Sequence, residues 1–123
     1  LYDEVLDVIA VLGERGLRLG IVSNWSWDLR DYVELVGIQR YFDVVVASAH
    51  AGCEKPHPGI FARALQAAAV QPTRALHVGD SYEADVLGAR AAGMDALWLD
   101  RAGAGGHPDC PSIRDLSALL ELV

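Results

Sequence analysis

Apolar residues recur along this chain in two alternating patterns. Val5, Leu6, Ile9 and Leu12 follow the spacing of one helix face, and Gly16 stands where a left-handed cap would end that helix. Leu19 to Val22 is then a short continuous apolar run, the pattern of a strand buried on both faces. The alternation continues with a helix over Leu29 to Val36 stopped by Gly37, and a β-branched strand over Phe42 to Ala47. A third helix begins after Pro56, with Pro58 in its first turn, and runs to about Ala69. Leu76 to Val78 reads as the next strand, Tyr82 to Ala92 as the next helix and Ala96 to Leu99 as the last strand. A loop from Gly103 to Pro111 precedes a closing helix over Ile113 to Leu122.

Strands of continuous apolar character alternating with helices specify an α/β fold, a Rossmann-like parallel sheet with helices on both faces. No internal repeat and no Pro-, Gly- or Ser-rich linker divides the chain, and 123 residues suffice for one domain and not for two. Slightly over half of the residues are apolar, enough to build a core. The net charge of −7 argues against nucleic acid as a partner, because phosphate backbones need clustered Lys and Arg. No apolar run approaches the roughly 18 residues of a membrane span. The opening Leu1-Tyr2-Asp3-Glu4 is neither a signal peptide nor an initiator Met, and reads as the middle of a longer protein.

Cys53 and Cys110 form no CxxC and no disulfide framework, so a reduced, cytoplasmic context is expected. His50, Cys53 and His57 make a loose cluster, joined at a distance by His107 and Cys110. Their spacing matches no standard zinc pattern, which favours plain loop residues.

In a parallel sheet of this kind ligands bind beyond the C-terminal ends of the strands. Three strands deliver polar groups there: Ser23 and Asn24 after the first, the loop holding Lys55 after the second, and Asp80 after the third. Each has a bland explanation. Ser23 would cap a helix, Lys55 would be a solvated charge, Asp80 would be an N-cap and Asp85 an exposed helical carboxylate. Jointly they describe a site for a phosphate and a divalent cation. A hard cation such as Mg²⁺ takes one or two carboxylates plus water and substrate phosphate, which Asp80 and Asp85 would supply and orient. Ser23 and backbone N–H groups near Asn24 would hydrogen-bond phosphoryl oxygens, and Lys55 would offset charge.

Ile21-Val22-Ser23-Asn24, Cys53-Glu54-Lys55-Pro56-His57-Pro58-Gly59 and His77-Val78-Gly79-Asp80-Ser81, followed by Asp85 and Gly88-Ala89-Arg90-Ala91-Ala92-Gly93, resemble the haloacid dehalogenase-like hydrolase superfamily. The likeness runs through the whole chain in order and is greatest to the cap-bearing phosphatase-like members. It implies an HAD-like core domain over 1–123, the portion after the cap, and hydrolysis of a small phosphate ester with Mg²⁺. Ser23 is then the phosphate-binding hydroxyl, with Asn24 beside it, and Lys55 the lysine bridging phosphate and nucleophile. Asp80 and Asp85 are the metal-site acids. Keeping both acids favours the phosphatase over the dehalogenase side of the family.

One motif of that family is absent. No Asp-x-Asp-x-Thr/Val strand occurs, and its first Asp is the nucleophile that forms the aspartyl-phosphate. Asp28 and Asp31 lie on a helix with the wrong spacing. This chain alone is therefore expected to lack turnover, as a truncated or trimmed portion of a hydrolase. The rival is a non-catalytic binding or assembly module that kept the fold. A receiver-like signalling domain fits less well, since neither Asp43 nor Asp100 stands with the other acids. The lost strand belongs at the sheet centre, and each buried backbone group left unpaired costs about 1–3 kcal/mol. The expectation is that the chain closes the gap by pairing its two inner strands directly, by borrowing a strand, or by forming a homodimer. Trp25 and Trp27, flanking Ser26 at the mouth of the site, would either stack on substrate or pack on neighbours. Gly103, Gly105 and Gly106 read as a flexible loop.

Overall fold

The computed structural model describes residues 4–25, 28–103, 105 and 109–123. Helix α1 (Val5–Glu14) leads into strand β1 (Gly20–Ser23), helix α2 (Leu29–Leu35), and strand β2 (Val44–Ala47). The short helix α3 (Ser48–Ala51) and the longer α4 (Pro58–Ala68) follow, then strand β3 (Leu76–Gly79), helix α5 (Gly88–Ala91) and strands β4 (Asp95–Leu99) and β5 (Ser112–Ile113). Gly16 and Gly37 turn the chain with φ of +82° and +80°, where a side chain would be strained.

Several boundaries differ from the sequence pattern, each for a local reason. Strand β2 starts at Val44 because Phe42 and Asp43 are used to enter it, the Asp43 carboxylate accepting from Leu19 N at 3.1 Å. Helix α3 was not foreshadowed. It forms where the Ser48 hydroxyl accepts from Trp25 N (3.1 Å) and donates to Trp25 O (3.0 Å). The helix expected over Tyr82 to Ala92 is a π-helical turn (Tyr82–Leu87) continued by α5. The closing helix does not begin at Ile113. Ser112 and Ile113 instead pair in parallel with Trp98 and Leu99, so β4 is not the last strand, and a 3-10 segment (Leu116–Glu121) follows. Pairing lets Ile113 reach the core beside Val8 and Leu12, and Asp115 restarts the helical geometry by accepting from Ala118 N.

All strand pairs are parallel, and α/β layering is as the pattern required. Alternate residues of β4 serve opposite faces. Ala96 and Trp98 pack towards Ile60, Phe61 and Val86, on the side of α4 and α5, while Leu97 and Leu99 join Val8, Leu12 and Leu119. A third cluster buries Ile9, Leu29, Val33 and Ile38 against Ala47.

The sheet is in two pieces, β1 beside β2 and β3-β4-β5. Direct pairing of the two inner strands, one of the three expected ways to close the gap, does not occur. Between β1 and β3 lies an open slot of about 680 Å³, with Phe61 and Ala64 of α4 on one side and Leu12 and Leu119 on the other. The helices explain why it stays open. Ile60, Phe61, Val86 and Ala89 are shared by Val44 and Val46 of one half-sheet and Ala96 of the other. Closing the slot would force the fully buried Phe61 out of a close-packed layer.

Candidate active site

The C-terminal ends of β1 and β3 meet through Lys55. The Asn24 side chain, just past β1, clasps the Lys55 backbone: Oδ1 accepts from Lys55 N at 2.8 Å and Nδ2 donates to Lys55 O at 3.2 Å. The loop then enters α4 with Pro58 in the first turn and the His57 Nδ1 accepting from Gly59 N at 2.9 Å. So held, the Lys55 side chain reaches across to Asp85, Nζ lying 2.6 Å from Oδ1.

Asp85 is almost completely buried, at 3% exposure, and collects three donors. Lys55 Nζ and His77 Nε2 (2.8 Å) share Oδ1, and Ser81 N donates to Oδ2 at 3.1 Å. An ionised carboxylate only accepts, so His77 carries its proton on Nε2. Two local features bring Asp85 there. The π-helical turn widens the chain at the point where Asp85 N and Val86 N both reach Ser81 O, at 2.8 and 3.4 Å. Gly79 then leaves room, for a β-carbon on it would stand 2.1 Å from Asp85 Cγ. Burial works to raise the Asp85 pKa, but the hydrogen bonds from His77, Lys55 and Ser81 outweigh it and hold the carboxyl well below the usual carboxylate range.

A depressed carboxylate pKa stabilises the fold fully above the unfolded value, near 4, and that contribution is lost as pH falls through the folded value. Thermal unfolding between about pH 5 and pH 2 is therefore expected to show Tm falling with acid. The Asp85→Asn variant should show a flatter profile, and identical profiles would refute the assignment.

Asp80, in contrast, is exposed. Its carbonyl accepts from Trp98 Nε1 at 3.0 Å, while its carboxylate hydrogen-bonds none of the described residues. The N-cap of the following turn is Ser81, whose hydroxyl accepts from Ala84 N, so the capping alternative for Asp80 is set aside. Asp85 and Lys55 are likewise neither the exposed carboxylate nor the solvated charge of the bland readings. Ser23 is half-buried at the end of β1, its hydroxyl bonded to none of the described residues. Trp25 packs on a neighbour, its ring 5.2 Å from that of Tyr32, with both residues 40% exposed. Trp27, Ser26, Gly106 and His107 lie outside the described residues.

The set suits a hard cation in part. Asp80 offers an unengaged carboxylate at the strand end, whereas Asp85 has both oxygens occupied by donors, which fits an orienting place behind Asp80. Among the described residues no three His, Cys, Asp or Glu side chains converge as a metal centre, including His50, Cys53, His57 and Cys110. No helix among them is long and apolar enough to cross a membrane.

His77 was not among the residues singled out from the sequence. Its signal was there: a polar residue inside an apolar strand, two positions before Gly79 and so on the same face as the gap through which Asp85 passes.

Comparison with known proteins bears on this arrangement. Residues 1–93 match the family model for haloacid dehalogenase-like hydrolases. The chain is 44% identical over 102 residues to haloacid dehalogenase-like hydrolase domain-containing protein 3 of Bos taurus, covering 83% of this chain and 39% of that protein. It is 39% identical over 112 residues to a phosphoserine phosphatase of Thermus thermophilus, covering 90% of this chain and 44% of that one. Among solved structures, a HAD phosphatase from Thermococcus onnurineus superposes on 99% of this chain and 57% of its own, with a TM-score of 0.95 and 34% identity. The chain thus spans less than half the length of these two curated relatives.

Proposed function

The chain belongs to the haloacid dehalogenase-like hydrolases, and from that premise we propose that it is the core-domain portion, residues 1–123, of a Mg²⁺-dependent phosphatase acting on a small phosphate ester. The observation that carries this reading is the Lys55–Asp85–His77 cluster at one sheet edge, with Ser23 and the unengaged Asp80 beside it. Relatives that act as phosphoserine and glyceraldehyde 3-phosphate phosphatases support the substrate class.

In this reading the Ser23 hydroxyl and the backbone N–H groups that follow β1 bind phosphoryl oxygens, Asn24 acting through its grip on the Lys55 backbone. Lys55 neutralises charge between the phosphate and an acidic nucleophile. Asp80 would hold the cation, and Asp85 would keep Lys55 and the turn in place. Bound Mg²⁺ supplies Lewis-acid polarisation of a phosphoryl oxygen. The nucleophilic aspartate, which forms the aspartyl-phosphate in the intact protein, is not among these 123 residues, so the chain by itself binds without turning over.

The test is a phosphatase assay on the intact protein, with phosphoserine and other small monoesters, in Mg²⁺ and in chelator. Activity should need the cation and fall about 100-fold or more in Lys55→Met, the scale for losing one electrostatic stabiliser. An intact protein with no turnover would favour the non-catalytic binding module instead.

A further inference from the structure

An ammonium committed to a buried carboxylate is not at the disposal of a substrate, because withdrawing it strands the carboxylate away from water. Lys55 stands in that position. Its Nζ lies 2.6 Å from Asp85 Oδ1, and the two side chains are only 13% and 4% exposed. A third group makes this more than a simple ion pair. His77 Nε2 donates to the same oxygen at 2.8 Å, while Ser81 N holds Oδ2 at 3.1 Å. The carboxylate therefore has a donor on each oxygen without Lys55, and a second one on Oδ1 with it.

The two side-chain donors differ in freedom. Lys55 carries its charge at the end of a flexible four-carbon stem, so Nζ can trade one acceptor for another. The His77 ring is fixed. It stands on β3, in register with Ala96 of β4, and packs edge-on against Phe61 with ring centroids 4.9 Å apart. Phe61 is itself fully buried. His77 and Gly79 share one face of β3, and Gly79 is the gap over which Asp85 passes. The strand that admits the carboxylate thus also carries its immobile donor.

We propose that His77 is a positioning residue for Lys55: its N–H keeps Asp85 hydrogen-bonded while the Lys55 ammonium turns from Oδ1 to a phosphoryl oxygen. No proton changes place in this step; one hydrogen bond is exchanged for another. Lys55 then holds the fold together in the free protein and serves the phosphate in the bound one. That Lys55 faces phosphate at all rests on the functional reading above; the release by His77 is the addition to it.

Titration calorimetry of the intact protein with inorganic phosphate, at fixed Mg²⁺, tests this. His77→Phe keeps a ring against Phe61 and removes the N–H. With Lys55 left as the sole side-chain donor to Asp85, the dissociation constant for phosphate should rise about tenfold or more, the scale of one hydrogen bond to a charge. His77→Asn, whose amide stops short of Oδ1, is a second loss variant with the same expected result. His77→Gln returns an N–H near the Nε2 position and should bring binding back to within about threefold of the parent. In the Lys55→Met background His77→Phe should weaken phosphate binding by less than about twofold, since it acts through Lys55. A histidine that merely supports the fold would weaken binding in both backgrounds and overturn the proposal. Parent-like phosphate affinity in the loss variants would overturn it too, for Lys55 would then reach phosphate without leaving Asp85, and the phosphatase reading would stand. A parent protein that binds no phosphate would sink both.

Discussion

Gly79→Ala should destabilise the domain by about 3 kcal/mol, at the upper end of the cost of forcing an extra methyl into a packed site. The new β-carbon would lie 2.1 Å from Asp85 Cγ and 2.4 Å from Asp85 Cβ. The near atoms include the base of that side chain, so a rotamer change is no escape and the π-helical turn itself has to move. Moving it takes the carboxylate from Lys55 and His77 as well. Thermal melting reads the effect: roughly 3–6 °C of Tm is expected per kcal/mol for a domain of this size. A melting temperature within a degree of the parent would mean that Asp85 does not pass over Gly79.

The second large effect is an asymmetry between the partners of the buried ion pair. Asp85→Ala leaves Lys55 and His77 facing the same vacated position, and breaking a buried pair from one side costs about 3–5 kcal/mol. Lys55→Met leaves the carboxylate with His77 and Ser81 N still donating to it, and should cost about 1.5–3 kcal/mol, on the scale of one hydrogen bond to a charge. In the Lys55→Met background the Asp85→Ala change should then cost less than it does alone. Denaturant melts of the two single variants and the double variant measure this. Equal, additive costs would show that the two side chains do not act as a pair.

Much of this architecture was legible in the residues. Continuous apolar runs at Leu19 to Val22 and Leu76 to Val78, between helical periods, suffice to define parallel strands, because both faces of such strands are covered. That the Lys55 loop and Asp80 share one edge was also readable, since polar groups at strand ends in a parallel sheet do so; the Lys55–Asp85 ion pair was not, because Asp85 lies in the turn after β3. What stayed hidden depends on tertiary partners. Ser112 and Ile113 look like the start of a helix, and only the open edge of β4 draws them into a strand. Tyr82 to Ala92 carries no local sign of a wider turn; that geometry follows from where Asp85 has to arrive. Asn24 was read as a neighbour of the phosphate site, yet its side chain is committed to the Lys55 backbone. An amide matches an N–H and a C=O together, and a sequence does not say which pair it will find.

The hydrogen bond from the Trp98 indole to the Asp80 carbonyl has an optical consequence. Indole emission responds to what its N–H touches, and this N–H is anchored to the sheet-edge residue whose carboxylate bonds none of the described residues. With phenylalanine at Trp25 and Trp27, Trp98 becomes the sole indole emitter of the chain. Its spectrum would then report events at Asp80 directly, without a label and without turnover.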